Sequence, residues 1–253
     1  MEGTNPTACL LVIGNEVLSG RTQDANIKFL ATGLAALGIP LREVRVIPDV
    51  AKTIIDTVNE VRTKFDCVFT TGGIGPTHDD ITSECVAAAF GVPWEPHPEA
   101  WVRMEKTYPP GGFNAARQRM ATMPRGATLI DNALSVAPGF QIGNVYVMAG
   151  IPRVMQAMFE SFRHRLTGGK PMQARQIAAE LPEGRMAEGL SALQDRYSDL
   201  EIGSYPFQRM GKVGAAIVLR GTDRARIDAA AAELIALMKG LGGEPVEEAT
   251  TSG

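Results

Sequence analysis

Two adjacent carboxylates, Asp79 and Asp80, close a stretch that reads Thr71-Gly72-Gly73-Ile74-Gly75-Pro76-Thr77-His78. Three glycines in one loop leave backbone N–H groups uncovered, and a helix that starts after the loop adds its dipole, so the spot favours an anion and phosphate above all. Two familiar glycine loops do not fit. Pro76 stands where a Walker A loop needs Lys, and His78 stands where a dinucleotide fingerprint needs its third Gly. Like charges about 4 Å apart near a protein surface repel by roughly 4 kcal/mol at an effective dielectric of about 20. Carboxylates beside an anion cradle therefore make sense when a hard cation such as Mg²⁺ bridges them to the ligand. The local alternative is that one Asp caps the following helix and the other is solvated.

Two further acids sit in similar places. Glu16, in Gly14-Asn15-Glu16, and Asp49, after Pro48, each follow an apolar stretch that reads as a strand. In open parallel sheets, ligands bind beyond the carboxyl ends of the strands. Gly150-Ile151-Pro152 brings another helix start to the same edge if its strand is parallel. Together the loops offer backbone donors for phosphate and up to four carboxylates for metal or general-base work: Glu16, Asp49, Asp79 and Asp80. Each has a plainer reading, with Asp49 as a cap and Glu16 as a solvated loop residue. His78 is either a ligand contact or a filler of the turn. His97 and His164 are assigned no role.

The elements that must position these residues follow from periodicity. Ala8–Ile13 is a continuous apolar run, a buried strand, and Ile27, Leu30, Ala31, Leu34 and Leu37 then recur at helical spacing. Leu41–Ile47 alternates as a second strand, and Ile54, Val58, Val61 and Phe65 mark the next helix. Cys67–Phe69 is a third strand, leading through the glycine loop into a helix that ends near Gly91. This β-α-β-α-β-α order predicts an α/β fold: a three-layer, doubly wound, mostly parallel sheet with helices on both faces. Residues 92–124 break the rhythm, with Pro93, Pro96, Pro98, Pro109 and Pro110 punctuating two short helical pieces, an insertion that covers a site, builds an interface or decorates the surface. Gly143-Asn144 predicts a hairpin, and Pro152 opens a helix whose inner face is Met155, Met158, Phe162 and Leu166.

Gly168-Gly169-Lys170-Pro171 is the linker candidate, so the division is 1–169, 170–243 and a polar tail at 244–253. The middle segment reads β-α-β-β-α, a small α+β domain, and the acidic tail is expected to be disordered. Gly211-Lys212-Val213-Gly214 fits the Gly-x-x-Gly pattern of a KH loop. That loop joins two helices, whereas this one joins two strands, so a hairpin turn explains it better.

Composition bounds the partners. The chain has 253 residues, 45% hydrophobic and 21% charged, with a formal charge of −3. Residues 171–253 hold 9 Lys/Arg against 12 Asp/Glu, and the remainder holds 16 against 16. Neither part carries the basic excess of a nucleic-acid binder. Cys9, Cys67 and Cys85 lie in predicted strand or helix core without a Cys-x-x-Cys pair, which favours buried free thiols over disulfides or zinc ligands. With no apolar run of membrane length and no signal-peptide pattern at Met1–Thr7, no membrane association and a cytoplasmic location are expected.

The stretch Thr70-Thr71-Gly72-Gly73-Ile74-Gly75-Pro76-Thr77-His78-Asp79-Asp80-Ile81-Thr82 resembles the signature of the molybdopterin-binding (molybdenum cofactor biosynthesis) domain, in the form found in the competence/damage-inducible protein A family. Residues 8–168 carry the resemblance and 171–243 look like that family's small middle domain. The amide-hydrolysing domain that often follows is not in this chain, so a short form is expected and no nicotinamide-nucleotide deamidation is implied. The resemblance implies divalent-metal-dependent cleavage of a nucleotide diphosphate such as ADP-ribose or FAD, with Mg²⁺, Mn²⁺ or Co²⁺. Asp80, Asp49 and Glu16 would be catalytic, and Asp79 and Asp80 the metal-linked pair. Ligand contacts are expected from Gly14, Asn15, Thr71, Gly72, Gly73, Gly75, Pro76, Thr77, His78 and Asp79, from Asn132, Ser135, Pro138 and Gly139 of an Asn…Ala-Pro-Gly-Phe segment, and from Gly150 and Pro152. One departure is Val154, where the family pattern has an acid. The alternatives are a protein that binds molybdopterin or a nucleotide without turnover, and an oligomeric scaffold with a vestigial site. A homo-oligomer, dimer or trimer, is expected.

Overall fold

The computed structural model describes residues 5–209 and 211–249. They form two compact units: the described residues up to Gly169 apart from Ala36–Gly38, and the remainder. In the first unit, β1 (Ala8–Ile13) leads through one turn, α1 (Asn15–Leu18), and α2 (Asn26–Ala36) to β2 (Leu41–Ile47). From there α3 (Ala51–Lys64) returns the chain to β3 (Cys67–Thr71), and α4 (Thr82–Phe90) leaves it. The insertion comprises β4 (Trp94–Pro96), α5 (Pro98–Thr107), α6 (Ala115–Arg119) and β5 (Thr122–Pro124). Then come β6 (Thr128–Ile130), the hairpin β7 (Gly139–Ile142) and β8 (Val145–Met148), and α7 (Pro152–Phe162).

The sheet order is β2-β1-β3-β8-β7-β6. The first four strands are parallel, and β7 and β6 add antiparallel pairings. Every residue of β1, β3 and β8 is buried, which is why they read as apolar runs, whereas edge strand β2 alternates. Cys9, Leu11 and Ile13 meet Ile54, Val58 and Val61 of α3 and Cys85 and Val86 of α4 on one face. On the other face Phe69 stacks on Tyr146 and meets Phe159 and Phe162 of α7, while Phe29 of α2 packs edge-on to Phe159. Each such buried side chain contributes roughly 1.5–3 kcal/mol, so this is the three-layer arrangement the periodicity predicts.

The register sets up the site. Val12 lies opposite Thr71, Thr71 opposite Met148, and Ile13 opposite Ile47. The four parallel strands therefore end level. Because β2 and β3 flank β1 on opposite sides, the winding reverses there, at the place where open α/β sheets take ligands.

The proline-rich segment contains more than the two expected helices. Trp94–Pro96 pairs antiparallel with Thr122–Pro124, with its prolines in short strands that tolerate a missing donor. The Trp94 indole N–H donates to Ser83 Oγ and the Thr122 carbonyl, both at 3.0 Å. His97, assigned no role above, caps α5 by accepting from the Ala100 amide.

The second unit contains β9 (Gln173–Ala179), α8 (Glu183–Arg196), β10 (Glu201–Arg209), β11 (Lys212–Gly221), α9 (Arg224–Gly240) and β12 (Val246–Glu248). Its sheet is antiparallel in the order β10-β11-β9-β12. Ile177, Leu193, Ile217, Leu219, Ile227, Leu234 and Met238 form its core. The expected disordered tail is corrected in part: Val246–Glu248 pairs with Gln176–Ala178. Arg175 donates twice to Glu247, at 2.8 and 2.7 Å, and Gln176 donates to Glu248 at 2.8 Å. Matched polar partners let an acidic segment join the sheet edge. Residues 250–253 of that tail lie outside the described residues.

Candidate functional site

Gly72 and Gly73 have φ +101 and +68, backbone that favours glycine. A Cβ on Gly72 would overlap the Ile13 carbonyl oxygen, and one on Gly73 would overlap Thr82 Oγ1. The Gly72 amide donates to the Met148 carbonyl at 3.1 Å, so it is not a free donor for a ligand, contrary to expectation. The sheet ladder runs one residue past the strand and takes it. The amides of Gly73, Ile74 and Gly75 have no acceptor among the described residues. Pro76 has no N–H, so the cradle is those three donors, just ahead of α4.

Neither acid of the pair caps α4, whose cap position is Ile81 without a side-chain bond. Asp80 Oδ2 instead accepts from the Thr77 amide at 2.8 Å and from the Thr77 hydroxyl. It packs so close to Gly75 that a Cβ there would lie 2.6 Å from it. Asp80 thus folds the loop on itself. Asp79 is exposed, and the Thr77 side chain together with its own amide holds its carboxyl below the usual range. His78 is almost fully exposed, 3.9 Å from Asp79.

At the end of β1, the Gly14 amide donates to the Ile47 carbonyl at 3.1 Å and the Asn15 amide to Asp49 Oδ2 at 2.8 Å. Both backbone donors expected to meet a ligand here are therefore engaged. Asp49 is not the cap of α3, which begins after Val50 without a side-chain bond. It ties the loop after β2 to the loop after β1. Glu16 folds its carboxylate back over Gly14, where a Cβ would lie 2.5 Å from Oε1. The loop after β8 joins the same edge: a Cβ on Gly150 would lie 3.2 Å from the Gly72 Cα, and Pro152 opens α7.

In the remaining segment, Asn132 Oδ1 accepts from the amides of Leu134 and Ser135, and its Nδ2 donates to Ser135 Oγ at 2.7 Å. Its amide group shapes its own loop. Pro138 is buried beside Ile74, Gly75 and Asp80 in a small cleft. Gly139 lies inside the sheet, where a Cβ would overlap the Val147 carbonyl, so packing rather than a ligand accounts for the glycine. Among the described residues no three His, Cys, Asp or Glu side chains gather into a metal-holding set. Glu16, Asp49 and Asp80 therefore do not form one. Were a divalent cation bound at this loop, the hard oxygens of Asp79 and Asp80 would suit one of the Mg²⁺ kind.

Residues 9–168 match the family described as a probable molybdopterin binding domain. The chain belongs to that family. Residues 171–242 match the middle domain of FAD synthase. A protein of Pyrobaculum arsenaticum is 33% identical over 210 residues, 79% of each chain. A CinA-like protein of Parasynechococcus marenigrum is 35% identical over 159 residues, 60% of this chain and 38% of that one. The chain covers 62% of a Pyrobaculum calidifontis relative. The solved structure of CinA from Thermoplasma acidophilum, described as of unknown function, superposes with a TM-score of 0.60 at 28% identity, covering 64% of this chain and 99% of that one. These place the chain among CinA-like proteins of the molybdopterin-binding family, with a FAD synthase-like middle domain. No helix among the described residues is long and apolar enough to cross a membrane.

Two residues at this family site carried no signal in the sequence. Asn26, at the start of α2, is buried and donates from Nδ2 to the Gly150 carbonyl at 2.9 Å, while its Oδ1 has no donor. It fixes the Gly150 wall against Gly72. Arg119, at the end of α6, reaches the Asp80 carbonyl oxygen. Neither stands in a glycine motif, and only the three-dimensional path of α2 and of the insertion brings them here. Val154 stands half-buried on α7, so the wall there has no acid at that position.

Proposed function

We propose that this chain is a divalent-cation-dependent pyrophosphatase acting on a nucleotide diphosphate of the ADP-ribose or FAD type. The observation that carries the reading is the run of three unclaimed amides, Gly73 to Gly75, at the winding reversal beside β1, with the Glu16 carboxylate at the neighbouring strand end. The amides would bind the diphosphate and stabilise charge that builds on its oxygens during cleavage. Mg²⁺, Mn²⁺ or Co²⁺, held by Asp79 and Asp80, would neutralise phosphate charge when bound. Glu16 accepts no hydrogen bond on its carboxylate from a described residue. It would take the proton of the attacking water as the new P–O bond forms and the bridging P–O bond breaks, releasing AMP. Asp49 and Asp80 are engaged by the Asn15 and Thr77 amides, and hold the two loops in place. The FAD synthase-like middle domain supports a dinucleotide of the flavin type among the substrates.

A second reading, binding of molybdopterin without turnover, is favoured by the engagement of Asp80 with Thr77 and by the family description. Purified protein with ADP-ribose or FAD and each cation, assayed for AMP by chromatography, separates the two. Metal-dependent AMP release that Glu16→Ala abolishes supports hydrolysis. No release by the wild type, or release by Glu16→Ala and Asp80→Ala equal to that of the wild type, overturns it, and saturable molybdopterin binding without products supports the second reading.

A further inference from the structure

The insertion brings a cation to the glycine loop. Arg119 Nη2 lies 3.4 Å from the Asp80 carbonyl oxygen and 3.8 Å from Glu84 Oε2, and the guanidinium carbon sits 5.0 Å from the Trp94 ring centroid. Its Nε–H is shut off from solvent and has no acceptor. Ile74, Gly75, Asp80 and Pro138 line the same small cleft. The neighbouring polar groups are matched: the Trp94 indole donates to Ser83 and Thr122, and the Ser83 hydroxyl donates to the Thr122 carbonyl at 2.9 Å. Among the described residues lining this cleft, Arg119 Nε is the one buried side-chain polar atom left without a partner. A buried donor without an acceptor is unfavourable, and here it belongs to the side chain whose planar fork best suits phosphate. Its existing contacts are weak, a long bond to a neutral carbonyl and an ion pair beyond hydrogen-bond reach. Its charge also lies beside carboxylates that would otherwise repel an anion.

We propose that Arg119 is a phosphate-binding residue of this site, donating through its guanidinium to an oxygen of the ligand's diphosphate at the Gly75–Asp80 wall. The proposal rests on the diphosphate reading above. It makes the insertion part of the site: α6 supplies the cation and Trp94 holds its flat face, while Glu84 competes only weakly for it.

Titration calorimetry of inorganic pyrophosphate and of ADP-ribose into the full chain tests this, with Arg119→Gln, Arg119→Lys and Glu84→Gln compared with the wild type. Loss of a charge-assisted hydrogen bond predicts affinity weaker by about 10–100-fold in Arg119→Gln. Arg119→Lys, which keeps the charge without the fork, should lose less. Glu84→Gln should bind as well as the wild type or more tightly. Unchanged affinity in Arg119→Gln overturns the proposal. So does a Glu84→Gln variant that loses affinity and melting temperature alike, since that makes the Arg119–Glu84 pair structural. Should Arg119→Gln fail to fold, Arg119→Lys with unchanged affinity and salt dependence overturns it equally. A wild type that binds pyrophosphate through Arg119 but never cleaves keeps this proposal and removes the hydrolase. A wild type that cleaves with a KM indifferent to Arg119 does the reverse, and one that binds neither probe overturns both.

Discussion

Replacing Gly73 by alanine adds a methyl group where Thr82 already stands. At φ +68 the backbone alone disfavours alanine by about 1–2 kcal/mol. The new Cβ also overlaps Thr82 Oγ1 and comes 3.1 Å from Thr82 Cβ. Thr82 is fully buried in the first turn of α4, and its amide is bonded to the Gly73 carbonyl at 2.9 Å, so neither partner can step aside. A forced shift inside packed structure costs roughly 1–3 kcal/mol more. Gly73→Ala should therefore lose about 2–5 kcal/mol. Thr82→Ala alone should stay within about 1 kcal/mol of the wild type, because the hydroxyl it removes has no hydrogen-bond partner. The double variant keeps the backbone penalty and loses the overlap, giving a coupling of about 1–3 kcal/mol in its favour. Differential scanning calorimetry of the four proteins completes the cycle. Strict additivity, or a Gly73→Ala within about 0.5 kcal/mol of the wild type, would refute the tight seating of the loop on α4.

Asp80→Asn keeps an acceptor for Thr77 while Asp80→Ala removes it, so the alanine variant should be less stable by about 1–3 kcal/mol in urea unfolding; equal stabilities would show that Asp80 does not shape the loop. Trp94→Phe strips the N–H that anchors β4 and should cost about 1–2 kcal/mol, read as faster proteolysis within residues 92–124. Because no all-protein metal set exists among the described residues, EDTA should shift the melting temperature by less than about 1 °C, even where it stops AMP release. Burial pushes the Cys9 thiol up to about 12 and those of Cys67 and Cys85 to about 11. Native protein at pH 8 should therefore label slowly with a thiol reagent and fast once unfolded. Raised thiol values leave stability intact below the unfolded value of about 8.5 and erode it as pH climbs through 11 and 12, and three rapidly labelled native thiols would contradict this.

The central strands were legible because burial on both faces demands unbroken apolar residues, as in Ala8–Ile13 and Cys67–Phe69, and the hairpin because Gly143, with positive φ, turns β7 into β8. Level strand ends brought Glu16, Asp49 and Gly72–Asp80 to one edge, as the loop positions implied. The finer roles were not legible, since a carboxylate near a helix start has several possible partners and only geometry selects one. Asp49 chose the Asn15 amide and Asp80 the Thr77 amide. Pairing between short edge strands leaves little trace in composition, so Trp94–Pro96 read as irregular and Val246–Glu248 as tail. Asn26 and Arg119 act across more than thirty residues of separation from their partners, a distance at which local pattern is silent.

Where β1, β3 and β8 end, main chain meets main chain: Gly72 abuts the Ile13 carbonyl on one side and Gly150 on the other. A side chain added at Gly72 would run into that carbonyl oxygen, so a substitution there has to displace backbone rather than a neighbouring rotamer.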